Sequence, residues 1–124
     1  MKNFIYVFLF LITATTNSVI QLLFKRAALN FSTIMSADYS WLMKLIKIFV
    51  NPQIISIGVL MLTTLVIWLK ILSHWELTRA YPINIALTVI ITFIASIFLF
   101  NESVTVLKII GAFLIISGLW FILS

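Results

Sequence analysis

Four long apolar runs constrain what this chain can fold into: residues 4–24, 52–72, 80–100 and 104–123. Each is close to the roughly 20 residues that a helix needs to cross the hydrocarbon core of a bilayer. Lipid offers no hydrogen bonds, so each segment must satisfy its own backbone, and continuous apolar runs do so as helices. With 64% hydrophobic and 9% charged residues, the chain is too apolar for a soluble domain. The sequence predicts an all-α membrane protein, a single domain of residues 1–124 with four transmembrane helices.

The first run also has some features of a cleaved signal peptide, since Lys2 gives it a basic start. We expect a membrane span instead, because the apolar character resumes after Ser18 and continues to Phe24. No small-x-small cleavage motif precedes a soluble chain.

The connection between the first two runs contains WLMKLIKIFV, residues 41–50. On a helix, Trp41, Ile48 and Phe49 share one face with Leu45, whereas the lysines of this stretch lie off it. We predict an amphipathic helix lying in the membrane interface. The alternative is that these residues extend the second span.

Pro52 and Pro82 lie near the starts of apolar runs, where a missing amide hydrogen costs least, and they predict helix starts.

Polar residues recur at intervals of four inside the first and third runs. Residues four apart share one face of a helix, so each set forms a polar seam. Buried amides need partners across an interface or in water, so the seams either join helices or line a hydrated groove for a polar substrate. The amides, together with a lysine at the end of one seam, favour the groove. The first seam consists of Thr13, Asn17, Gln21 and Lys25, and the second of Asn84, Thr88, Thr92 and Ser96, with Tyr81 one turn earlier.

Three other residues before or within the last run have a structural and a functional interpretation. Gly111 and Gly118 are seven residues apart and lie on nearly one face, which suits close helix packing within one subunit or between two subunits. Glu102 precedes the run and would either cap its helix or act as a functional acid.

An enzymatic role is not expected. His74 and Glu76 are two residues apart at a helix end and therefore point in different directions. No metal-ligand spacing, nucleophile motif or Gly-rich phosphate loop accompanies them, and the chain has no cysteine, so we predict no metal and no cofactor. The net charge of +5 is explained by anionic lipid headgroups, and no nucleic-acid-binding motif is present.

Two stretches, NPQIISIGVLMLTTLVIWLKILSHWELTRAYPI (51–83) and FLFNESVTVLKIIGAFLIISG (98–118), resemble the four-helix members of the drug/metabolite transporter superfamily. One branch is the small multidrug resistance family, whose proton-coupled exporters act as antiparallel dimers. Its first helix carries a glutamate eight residues before a lysine, whereas eight residues before Lys25 this chain has Asn17. An asparagine cannot ionise, so that mechanism does not carry over directly.

A second branch comprises the small subunits that resemble the flippase for undecaprenyl phosphate-linked aminoarabinose. Here SVIQLLFK (18–25), with Gln21 four residues before Lys25, is similar to the first helix. AYP (80–82) resembles the start of the third helix, and Glu102 resembles the acidic residue before the last.

The flippase resemblance implies a transporter subunit in the bacterial inner (plasma) membrane. It would move a polyprenyl phosphate-linked sugar between leaflets by alternating access, as a homodimer or with a similar small membrane protein. The seam residues and Tyr81 would bind the headgroup, and Lys25, Arg26 and Arg79 are candidates to contact the phosphate. The alternatives are an exporter of small molecules or cations, of the multidrug type, and a non-transporting accessory subunit of a membrane glycosyltransferase.

Overall fold

The computed structural model describes residues 2–123, most of which are helical. Three of its helices are both long and apolar enough to cross a membrane, so the chain is a multi-pass membrane protein. The fifth helix is also apolar, but it is shorter. The five helices are α1 (Lys2–Ser36), α2 (Trp41–Phe49), α3 (Pro52–Leu72), α4 (Leu77–Phe100) and α5 (Val106–Leu123).

Helix α1 is much longer than the apolar run 4–24 that predicts it. It has 35 residues, which is roughly 50 Å at the rise of an α-helix and well above the thickness of a hydrocarbon core. Residues 25–36 were expected to belong to a loop, and this was wrong. No proline or glycine interrupts the segment, so nothing in the backbone forces the helix to end where its apolar character ends.

Helices α2 and α3 are separate, so residues 41–50 do not extend the second span. Ser40 precedes α2, and its hydroxyl accepts a hydrogen bond from the amide of Met43 at 3.4 Å. Asn51 precedes α3, and its side-chain oxygen accepts from the amide of Gln53 at 2.8 Å. Pro52 is the first residue of α3, as predicted. The interfacial position of α2 remains a prediction.

Two lysines of α2 contact the end of α1 and the turn that follows it. The Lys44 ammonium donates to the carbonyl oxygen of Met35 at 2.8 Å. The Lys47 ammonium lies 3.4 Å from the ring centroid of Tyr39. Hydrogen bonding to Lys47 and its positive charge favour the phenolate, so the pKa of Tyr39 is lowered from its ordinary value of 10.0. The turn between α1 and α2 is thus held by two side chains of α2, one bonded to the last turn of α1 and the other placed over Tyr39.

The prediction that Pro82 marks a helix start was wrong. Helix α4 begins at Leu77, so that Pro82 lies inside it, while α5 begins at Val106, two residues later than its apolar run. Membrane helices tolerate an internal proline because neighbouring groups can satisfy the carbonyl that it leaves free.

Helix α1 lies between α3 and α4, and α5 packs on α4 alone among the described helices. Near one end, the rings of Phe10 and Trp75 meet edge to face with centroids 5.4 Å apart. Near the other end, Lys25 of α1 reaches Glu102, just after α4. Helices α1 and α4 therefore run in the same direction.

The small apolar core contains Phe10, Ile71 and Ala80. Many large apolar side chains instead face outward, as expected for a surface in contact with lipid.

Candidate functional site

The contact between α1 and α4 is made partly by buried polar groups in the middle of both helices. The Thr13 hydroxyl donates to the side-chain oxygen of Asn84 at 3.0 Å. Its own-helix carbonyls, those of Leu9 and Phe10, lie at 3.1 and 3.0 Å. Thr13 is 0% exposed and Asn84 is 8% exposed. A hydroxyl has a single proton, so these three acceptors compete for it, and the Thr13 side chain is fully engaged. These two seam residues join helices.

Ser18 makes a second polar contact between these helices, and the sequence reasoning did not single it out. Its buried hydroxyl donates to the carbonyl oxygen of Ala14 at 2.8 Å, and the carbonyl oxygen of Thr88 in α4, at 3.2 Å, competes for the same proton. The missed signal is the pair Ala14 and Ser18, two small residues four apart, which let a neighbouring helix approach closely. Both are almost fully buried.

Asn17 and Gln21 lie outside this contact. Together with residues of α3 and α4 they line a first cleft of about 320 Å³, on the α3 side of α1. Asn17 is half-buried and Gln21 is exposed. Within residues 2–123 neither side-chain amide has a hydrogen-bond partner, so both are free to bind a molecule in the cleft. The other residues that line it are Ile20, Phe24, Met61, Thr64, Leu65, Trp68, Tyr81 and Asn84.

A second cleft, of about 450 Å³, lies between α1, the second half of α4 and the segment before α5. Gln21 lines both clefts. The hydroxyls of Thr88 and Ser96 donate to carbonyls of their own helix, at 2.7 and 3.0 Å. The buried Thr92 hydroxyl has no partner within the described residues. The second cleft is also lined by Leu22, Lys25, Val89, Phe93, Phe100 and Glu102.

An ion pair lies at the outer end of the second cleft. The Lys25 ammonium is 3.4 Å from the Glu102 carboxylate, and the two side chains are 51% and 39% exposed. The same ammonium lies 5.9 Å from the ring centroid of Phe100. A pair this exposed stabilises a fold little, about 0–1 kcal/mol at most sites. Both charged groups are therefore accessible to a third charged group.

Glu102 does not occupy the position expected of a helix cap. It lies four residues before the start of α5. The hydroxyl that accepts from the first turn of α5 belongs to Thr105, 3.4 Å from the amide of Lys108. The carboxylate of Glu102 instead faces Lys25.

The three phosphate-contact candidates do not lie together. Lys25 and Arg26 are in α1 at the level of Glu102, whereas Arg79 is in the first turn of α4. Because α1 and α4 run in the same direction, Arg79 is at the opposite end of the bundle. Tyr81 is exposed and lines the first cleft.

Neither helix-packing glycine is in close contact within this chain. Apart from its own helix backbone and its two chain neighbours, a methyl group added at Gly111 or Gly118 would meet no atom within 4 Å among the described residues. Thr64, which the sequence reasoning did not single out, is buried in the first cleft and donates to the carbonyl oxygen of Leu60 at 2.9 Å.

Comparison with known proteins gives a partial match. A segment of 59 residues is 39% identical to the Serratia proteamaculans (strain 568) protein named "Probable 4-amino-4-deoxy-L-arabinose-phosphoundecaprenol flippase subunit ArnF". The match covers 46% of this chain and 45% of that protein, so it spans about half the length of each. No protein-family profile matches the chain, and no solved structure is significantly similar to it.

Proposed function

We propose that this protein is a subunit of a membrane transporter in the bacterial inner membrane that moves a polyprenyl phosphate-linked sugar between the two leaflets. In this proposal α5 crosses the membrane as the fourth span. The other three are α1, α3 and α4, which have the length and hydropathy of spans. The partial match to a flippase subunit supports the same class of activity.

The observation that carries the proposal is the pair of unpartnered amides, Asn17 and Gln21. An amide presents both donors and acceptors, as sugar hydroxyls do. Two such groups on one helix face, next to hydroxyls of α3 and α4, form an uncharged hydrogen-bonding path. Polar groups at this depth are costly in a membrane, and they mark a pathway when no protein group satisfies them.

The path leads toward a cation. Asn17 and Lys25 are eight residues apart, which on a helix is roughly 12 Å along the axis. Lys25 would hold the phosphate near the membrane surface, with Arg26 at the same level, while the sugar contacts the amides. Arg79 would serve at the opposite surface. The hydrocarbon chain of the lipid would stay in the bilayer beside the clefts.

A second subunit would complete the site. Among the helices of residues 2–123, α5 contacts only α4, and the space beside Gly111 and Gly118 is open. The second cleft ends at Glu102, in the segment that leads into α5, so a similar chain packed against α5 by close approach of small residues would lie beside that cleft. The subunit would then work as a homodimer or as a heterodimer with a similar protein, by alternating access.

The test is a flipping assay in liposomes with a fluorescent glycosylated polyprenyl phosphate and a quencher that cannot cross the membrane. Asn17→Leu and Gln21→Leu are expected to abolish flipping without loss of folded protein, because neither amide bonds to the protein. The matched control is Thr63→Val, on the exposed face of α3, which should flip at the rate of the unchanged protein. Unchanged flipping by both leucine variants would refute the assignment of the path.

A further inference from the structure

Lys25, the cation expected to bind phosphate, is already paired with Glu102 in this structure. Of the three acidic residues in the chain, Asp38 lies between α1 and α2, and Glu76 precedes α4 at the other end of the bundle. Glu102 is therefore the acid of the second cleft.

The segment that carries Glu102 lies outside the helices. Residues 101–105 are irregular, and Asn101 has a left-handed backbone (φ 51°) that ends α4. Within the described part of the chain the Glu102 carboxylate contacts Lys25 and makes no hydrogen bond. Releasing it breaks one exposed ion pair and no backbone hydrogen bond.

A second cation lies near the same segment. The Lys108 ammonium donates to the carbonyl oxygen of Ser103 at 2.8 Å, one residue beyond Glu102. Glu102, Ser103 and Lys108 all line a third cleft, of about 360 Å³, between α4 and α5. A carboxylate that leaves Lys25 thus has an alternative ammonium on the α5 side.

We propose that Glu102 is a displaceable counter-ion of Lys25, which the phosphate of the bound lipid replaces. This deepens the proposed function and rests on it. In the empty protein Lys25 pairs with Glu102. When a lipid phosphate enters the second cleft, its oxygens accept charge-assisted hydrogen bonds from the Lys25 ammonium, and Glu102 turns toward Lys108. Lys25 is then the phosphate ligand, and Glu102 sets the affinity by competing for it.

The experiment measures binding of a polyprenyl monophosphate, and of the corresponding polyprenol, to the full chain in nanodiscs by native mass spectrometry. Glu102→Gln is expected to tighten phosphate binding by about two- to fivefold, the range that loss of an exposed ion pair allows. Polyprenol binding should not change. Glu76→Gln removes the same charge at the other end of the bundle and should leave both affinities unchanged.

Glu102→Asp separates competition from a general field effect, because it keeps the charge and shortens the side chain by one carbon. Competition predicts an affinity between those of the unchanged protein and Glu102→Gln. An affinity of Glu102→Asp equal to that of the unchanged protein would overturn the proposal, and so would weaker or unchanged phosphate binding by Glu102→Gln.

Failure of the proposed function has a different signature. If the unchanged protein binds polyprenyl phosphate no better than polyprenol, and Lys25→Gln makes no difference, Lys25 is not a phosphate ligand and both proposals fall. If the unchanged protein prefers the phosphate and Lys25→Gln removes that preference, while Glu102→Gln has no effect, only the role of Glu102 is refuted.

Discussion

Replacing Thr13 by valine is expected to weaken the contact between α1 and α4. Valine has nearly the shape of threonine, and Thr13 is 0% exposed, so the substitution should leave no cavity. It removes the hydroxyl that donates to Asn84 at 3.0 Å. Hydrogen bonds between membrane helices contribute about 0.6 kcal/mol on average and at most about 1.7 kcal/mol. Leaving the largely buried Asn84 oxygen without its donor adds to this, and we expect a total loss of about 1–2 kcal/mol.

A double-mutant cycle isolates the pairwise part of this loss. Thr13→Val, Asn84→Leu and the double variant would be unfolded reversibly by SDS in mixed micelles, with helicity followed by circular dichroism. The coupling free energy is expected to lie between about 0.6 and 1.7 kcal/mol. The matched control is Thr63→Val, whose hydroxyl bonds only to its own helix, to the carbonyl oxygen of Val59 at 3.0 Å. It should change the free energy of unfolding by less than about 0.5 kcal/mol.

The result that would refute this reasoning is a coupling free energy of zero within error. Thr13 would then bond to its own helix in solution, and the polar contact with Asn84 would not join α1 to α4. An equal loss for Thr13→Val and Thr63→Val would have the same meaning. Either result would return Asn84 to the residues that are free to bind substrate.

Three further predictions concern packing and electrostatics. Ser18→Leu should destabilise the fold by several kcal/mol, because a side chain that is 1% exposed would force α1 away from α4; Ser56→Leu, on an exposed position of α3, should be neutral in the same unfolding assay. Pro82→Ala should stabilise α4 by about 1–3 kcal/mol, since it restores a helical amide; a loss of stability would mean that the proline shapes the packing surface. Lys47→Gln should raise the pKa of Tyr39 toward 10.0, because it removes the cause of the lowered value; NMR titration of the labelled Tyr39 ring would detect this, and an unchanged pKa would contradict the contact.

Most of the membrane architecture could be read from the sequence, because it depends on local properties. A run of about 20 apolar residues must be helical in lipid whatever surrounds it. The spans 52–72 and 80–100 agree with α3 and α4 to within three residues. The ends of the other helices were harder to predict, because hydropathy reports where a helix meets lipid and not where its hydrogen bonding ends. Residues 25–36 mix polar and apolar side chains and are nevertheless helical, which illustrates that difference.

The candidate site could be predicted as a set of residues but not as an arrangement. Four-residue spacing placed Thr13, Asn17 and Gln21 on one helix face, and they do lie along one side of α1. Which of them bond to protein depends on where α4 crosses α1. The small residues Ala14 and Ser18 are buried on α1, and Ser18 reaches the Thr88 carbonyl of α4. The crossing separates Thr13, engaged with Asn84, from the two free amides.

The sequence by itself determined that the chain is a helical membrane protein with polar residues inside its apolar segments, because a bilayer imposes helical structure and gives every buried amide a cost. Only the tertiary structure decided that α1 and α4 run in the same direction, so that Lys25 and Arg79 lie at opposite ends. It also decided that Glu102 pairs with Lys25, 77 residues apart in the chain. Such a pair follows from the packing of helices against one another, which the spacing of residues along one helix does not specify.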